Sequence, residues 1–173
     1  MKITVKRMVI IAITAALYAA ITLATIFLSF HANQFRIAES FNLLAYFNPI
    51  FAPAVALGVF LANFIGSPYG IVDALLGTTA TVVALILILI TRKVLKNPNI
   101  GLFVSSIWVV AINALIVPVV ILLAGDGFVW YAYWPFVGSV AIGQFVVVTL
   151  AGYTVLRLVI AKHPRAVQKL KEM

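Results

Sequence analysis

The sequence predicts an all-α integral membrane protein, a six-transmembrane-helix bundle built as a single membrane domain over residues 1–173, and three observations predict it. Of the 173 residues, 65% are hydrophobic and 9% charged, which is more apolar surface than a soluble domain of this size can bury. The apolar residues come in long runs broken at Pro, Gly and clustered charge, most of them near the ~20 residues that cross roughly 30 Å of hydrocarbon at about 1.5 Å per residue. Nearly all Lys and Arg fall in three clusters outside those runs: Lys2, Lys6 and Arg7; Arg92, Lys93 and Lys96; Lys162, Arg165, Lys169 and Lys171. Clusters so placed mark cytoplasmic segments under the positive-inside rule.

The first helix, at residues 8–31, follows the basic start, and its apolar stretch exceeds the hydrophobic region of a signal peptide. It leaves the chain outside near His31. The Arg92 to Lys96 cluster belongs inside, so the run at 70–91 starts outside, where Ser67-Pro68-Tyr69-Gly70 is a turn sequence. Between these two outside points the chain crosses twice, as a hairpin of helices at 35–47 and 50–66. Its arms join at Asn48-Pro49, where proline disfavours helix in the preceding residue, and the first arm is too short to span untilted. A fifth helix occupies 101–124, Gly125-Asp126-Gly127 turns outside, and a sixth occupies 134–161. Six crossings place both termini in the cytoplasm.

The net charge of +8 fits this topology better than nucleic-acid binding, because no aromatic residues interleave with the basic ones. No cysteine is present, so disulfides and thiolate metal sites are excluded. The chain carries no G-x-x-x-x-G-K-[ST] loop, G-x-S-x-G elbow or H-E-x-x-H pair. It is therefore expected not to be an enzyme and to need no cofactor or metal.

Polar residues inside apolar runs are the functional candidates, since an ionisable group at membrane depth costs at least about 2.5 kcal/mol on insertion scales. Arg36 and Glu39 share a helical face that Asn42 and Tyr46 continue. They form either the polar wall of a ligand cavity or an ion pair near the interface. Asp73, in the first turn of its helix, is either a ligand acceptor or a group favoured there by the helix dipole. Asn63 lies on the same outer side, while Asn113 and Gln144 either join the site or link helices. Trp130, Tyr131, Tyr133 and Trp134 anchor the sixth helix at the headgroups or cover a flat ligand by stacking. Ala12, Ala16, Ala20 and Ala24 recur every four residues, a smooth face for another helix of the bundle or for a partner protein.

The stretch Phe35-Arg36-Ile37-Ala38-Glu39-Ser40-Phe41-Asn42-Leu43-Leu44, with Phe47-Asn48-Pro49, Ala62-Asn63, Tyr69-Gly70-Ile71-Val72-Asp73 and Gly77-Thr78, resembles the QueT family. Members of that family are expected to be substrate-binding subunits, or S components, of energy-coupling factor transporters for queuosine precursors. The resemblance implies the S-component fold, a transmembrane scaffold subunit docked on Ala12, Ala16 and Ala20, and two ATPases that hydrolyse ATP outside this chain. It implies a 7-deazaguanine ligand, whose N1–H and exocyclic amine a carboxylate accepts. By chemistry, Glu39 is the first candidate for that carboxylate and Asp73 the second. Arg36 or Asn63 would donate to the base carbonyl, Trp130 or Trp134 would stack on the ring, and Asn42 and Gln144 would complete the wall. An S component for another flat vitamin or base, or a stand-alone small membrane carrier, fits the same residues.

Overall fold

A computed structural model describes residues 4–30, 34–124 and 130–172, all of them helical or in short connections. Helix α1 spans Val5–Ala24 and a short α2 spans Ile26–Ser29. The break falls at Thr25, whose hydroxyl donates to the Ile21 carbonyl at 2.8 Å, the back-bonding by which Ser and Thr satisfy themselves inside helices. A 3-10 segment, Ile37–Leu43, runs directly into α3, Leu44–Phe47. At about 2.0 Å per residue in the 3-10 turns and 1.5 Å in the α turn, this arm advances roughly 20 Å. It falls short of the ~30 Å hydrocarbon core. Irregular backbone is tolerated at such depth only inside protein. Here Ala38, Glu39, Asn42, Leu43, Ala45, Tyr46 and Phe47 are all buried.

Asn48, extended as the residue before a proline must be, uses Oδ1 to accept the Ile50 N–H at 3.0 Å and so starts α4, Phe51–Gly66. The turn at Ser67-Pro68-Tyr69 leads to Gly70, whose φ of 54° suits glycine, and α5 runs over Gly70–Val94. Asn97 caps α6, Pro98–Ala124, by accepting the Asn99 N–H at 3.0 Å, with Pro98 in the first helical position. The last long helix comprises α7 at Trp130–Gln144, a π segment at Phe145–Tyr153 and α8 at Thr154–Lys162.

Among the described residues four helices are long and apolar enough to cross a bilayer: Val5–Ala24, Gly70–Val94, Pro98–Ala124 and Trp130–Lys162. The expected six-span count is thus not met by length. The arms expected at 35–47 and 50–66 are too short, the first because its helical part, the 3-10 segment of 7 residues and α3 of 4, ends at Phe47 and the second because α4 has 16 residues. Beyond α8, the basic tail forms a further helix, α9, Pro164–Glu172, which the sequence reading left out. It folds back onto the bundle, where Val167 is buried and the Leu170 carbonyl accepts Asn48 Nδ2 at 3.0 Å.

The core gathers Tyr18, Leu43, Phe47, Val55, Val59, Ile88, Leu102 and Val109, while Leu17, Phe27, Phe64, Ile86 and Leu115 point outward. Outward apolar side chains on spanning and shorter helices alike define a lipid-facing surface. Helix α1 packs closely on α4 because position 58 has no side chain. A Cβ there would stand 2.7 Å from the Tyr18 Cβ and 3.0 Å from the Ala15 carbonyl oxygen. Gly58→Val should therefore destabilise the bundle by about 1–3 kcal/mol, the usual range for overpacking. Gly138→Ala, which meets no atom within 4 Å, should not. Thermal unfolding of both variants in the same detergent tests this, and equal midpoints would remove the α1–α4 contact as a constraint.

Candidate functional site

A 3-10 turn contains about three residues, so side chains three apart lie on one line rather than drifting around the helix. Arg36, immediately before the segment, and Glu39 and Asn42 within it are aligned in this way. The Glu39 carboxylate, 2% exposed, is the centre of the resulting network. Its Oε1 accepts the Tyr18 hydroxyl at 2.8 Å and stands 3.5 Å from Arg36 Nη1. Its Oε2 accepts Asn42 Nδ2 at 2.7 Å and Asn113 Nδ2 at 3.4 Å. Donors from α1, the 3-10 segment and α6 thus fill the acceptor positions of both oxygens. Arg36, equally buried, lies 4.8 Å from the centre of the Phe30 ring, a cation–π arrangement.

A second polar pair adjoins the first. Asn63 Nδ2, on α4, donates to the Asp73 carbonyl at 3.1 Å and to its Oδ1 at 3.4 Å, across to the first turn of α5. Gly77, one turn along α5, makes room for this pair, because a Cβ there would lie 2.6 Å from both Asn63 Nδ2 and Asp73 Oδ1. Arg36 interacts electrostatically with Asp73 as well as with Glu39, so one cation and two carboxylates share the interior among the described residues. Among the described residues several buried atoms have no hydrogen-bond partner: Asp73 Oδ2, Asn63 Oδ1, Arg36 Nε, Asn42 Oδ1, Ser105 Oγ and both amide atoms of Gln144. Gln144, 1% exposed, precedes by three residues Val147, whose carbonyl accepts the hydroxyl of Ser40 at 3.2 Å.

Of the sequence candidates, the structure brings together Arg36, Glu39, Asn42 and Asn113 in one network and Asn63 with Asp73 in the adjoining one. It does not bring in Trp130 and Trp134. These are 69% and 64% exposed and stack edge-on with Tyr133, whose hydroxyl donates to the Leu115 carbonyl at 3.0 Å. That is the placement of interfacial anchors. Asp126 lies outside the described residues. Ala12, Ala16 and Ala20 are exposed on α1, whereas Ala15 and Ala19 face the core. The sequence reading missed Tyr18, although a phenol in mid-span must find a partner for its hydroxyl, and that need was its signal. Among the described residues no group of three His, Cys, Asp or Glu forms a metal site.

A multi-pass helical bundle with a lipid-facing exterior and an enclosed ionic and amide interior is the architecture of a membrane transport protein. The profile of the QueT transporter family matches residues 8–161, and the chain belongs to that family. The queuosine precursor transporter QueT of Lactococcus lactis subsp. cremoris (strain MG1363) is 37% identical over 79 residues. The matched stretch covers 44% of this chain and 46% of that relative, so the chain spans about half the length of the relative it matches. No solved structure matches the chain.

Tyr18→Phe deletes one donor to Glu39 without changing the ring that packs on Phe41. The unfolding midpoint in detergent should fall by the equivalent of about 1–3 kcal/mol, the range for stranding a buried polar group. An unchanged midpoint would show that Glu39 does not depend on the phenol.

Proposed function

We propose that this chain is the substrate-binding membrane subunit, or S component, of an ATP-driven energy-coupling factor importer for a queuosine precursor with a 7-deazaguanine base. In this reading the chain makes six membrane passages, two of them through the short hairpin arms, and has cytoplasmic termini. The observation that carries it is buried polar atoms without a partner among the described residues, on Asp73, Asn63, Arg36 and Gln144, in a member of the QueT transporter family. A planar base with alternating donors and acceptors suits such a set.

The N1–H and exocyclic amine of the base form a donor pair. The Glu39 oxygens are already occupied by Tyr18, Arg36, Asn42 and Asn113, so Glu39 reads the ligand only by exchanging a protein donor. Asp73 Oδ2 and Asn63 Oδ1 have no hydrogen-bond partner among the described residues. We therefore place Asp73 first as the reader of the donor pair, with Arg36 Nε and Gln144 meeting the remaining polar edge and Glu39 and Asn42 as the wall that orients Arg36. With two carboxylates against one guanidinium, an aminomethyl cation on the base would balance the interior. Trp130 and Trp134 anchor the rim.

The exposed stripe Ala12, Ala16 and Ala20 supports docking of a transmembrane scaffold subunit, and the absence of a phosphate loop from the sequence supports ATP hydrolysis in two separate ATPases.

The first test is equilibrium binding by the detergent-purified protein. 7-Aminomethyl-7-deazaguanine should bind most tightly, on the order of nanomolar, ahead of 7-cyano-7-deazaguanine and guanine, with riboflavin not binding. Asp73→Asn should weaken binding by about tenfold or more while the unfolding midpoint holds, and Glu39→Gln should lower both affinity and midpoint. Riboflavin or another vitamin binding instead would transfer the chain to a different cargo. A second measurement addresses the partners. Ala16→Leu should leave ligand binding intact but abolish co-purification of scaffold and ATPases and uptake by cells. Concentrative uptake by the chain alone in proteoliposomes would identify a stand-alone carrier.

A further inference from the structure

A cavity of about 320 Å³ opens where the end of α5, the start of α6 and α3 meet, lined by Tyr46, Phe47, Arg92, Lys93, Leu95 and Lys96. Its floor is fixed. The Tyr46 hydroxyl donates to the Leu95 carbonyl at 2.8 Å and to that of Asn97 at 3.4 Å, and its ring lies against Gly101, where a Cβ would collide with it. Arg92 is half-buried in the wall, and Lys93 and Lys96 are exposed beside it. Three cations within one turn of chain thus line a common space.

The surface around the cavity is apolar and points outward. Ile90 and Val94 flank Arg92 on α5, and Ile100 and Phe103 occupy the first turns of α6, exposed by 51%, 69%, 53% and 45%. A free phosphate would use the cations alone. A phospholipid uses both features, the diester among the cations and the acyl chains along these four side chains. Basic pockets between spanning helices recognise anionic headgroups in this way. We propose that the cavity holds the phosphodiester of an anionic phospholipid of the phosphatidylglycerol type. This rests on the fold and not on the reading of the cargo.

Trp108 reports on the site, because its Nε1 donates to Thr91 Oγ1 at 3.1 Å, one residue from Arg92. In a Trp130→Phe/Trp134→Phe background it is the remaining tryptophan. In phosphatidylcholine nanodiscs, acyl-brominated phosphatidylglycerol should quench Trp108 at a mole fraction at least about fivefold lower than acyl-brominated phosphatidylcholine does. The Arg92→Gln/Lys93→Gln/Lys96→Gln variant should erase that preference, and Lys162→Gln/Arg165→Gln/Lys169→Gln, at the other basic corner, should retain it. Helicity by circular dichroism checks that both variants are folded. Equal quenching by the two lipids, or a preference that survives the first triple variant or disappears in both, would overturn the proposal. Millimolar inorganic phosphate that abolishes the preference would overturn the lipid as source and assign the cavity to free phosphate.

Discussion

A carboxylate enclosed among apolar helices constrains everything around it. Glu39 is 2% exposed, and an ionised carboxylate in that setting is tolerated only when donors replace the water it has lost. The donors come from three places in the chain: Tyr18 on α1, Arg36 and Asn42 beside it, and Asn113 on α6. Each fixes an element. Tyr18 sets the rotation and height of α1, which in turn requires the bare backbone of Gly58 on α4. Asn113 ties α6 to the same point. Removing the carboxylate would leave these helices in contact but without a shared register.

The irregular backbone follows from the same requirement. In an α-helix residues three apart are offset by roughly 60°, whereas 3-10 turns align them, so Arg36 and Asn42 meet the Glu39 carboxylate from either side. The 3-10 segment packs against the π segment of the last helix. Ser40 donates to the Val147 carbonyl across that contact, and Gly152 admits Ser40, since a Cβ there would lie 2.7 Å from its hydroxyl. Ser106 and Thr149 join α6 to the same π segment at 3.1 Å. Two departures from α geometry therefore face one another inside the protein, where their polar groups find partners that lipid would not offer.

Much of this was legible in the residues. The spacing of three between Arg36, Glu39 and Asn42 gives one stripe in either helix type, so the grouping was readable without knowing that the turns were 3-10. The basic clusters and apolar runs located the long helices. The short arms were readable as a hairpin with a first arm too short to span untilted, but its 3-10 geometry was not, because hydrophobicity reports burial in protein and burial in lipid alike. Tyr18 was hidden in an alanine-rich helix, where its ring reads as apolar and its hydroxyl acquires meaning only opposite Glu39. Helix α9 was masked by its charges, although Val167 and Leu170, three apart, carried its inward face. The aromatic cluster admitted two readings, and the exposure of Trp130 and Trp134 follows the interfacial one.

The two buried carboxylates differ in what the protein supplies to them, and the difference separates structure from recognition. Glu39 has its lone pairs filled from three elements, so it stabilises a fixed arrangement and has little left to offer a solute. Among the described residues Asp73 has the amide of Asn63, shared between its carbonyl and one carboxylate oxygen, and its second oxygen has no hydrogen-bond partner. A buried polar atom without a partner costs about 1–3 kcal/mol, and a chain that keeps several within one interior forgoes stability it would gain by replacing them with apolar groups. Gly77 sharpens the point, because an alanine there would press on both members of the Asn63–Asp73 pair, and glycine weakens a helix by roughly 0.5–1 kcal/mol relative to alanine. Helix strength is given up at that position for space beside an unsatisfied carboxylate. Within one 3-10 turn and one helix start, the chain thus holds a closed ionic network that sets the frame and an open one that the frame keeps available.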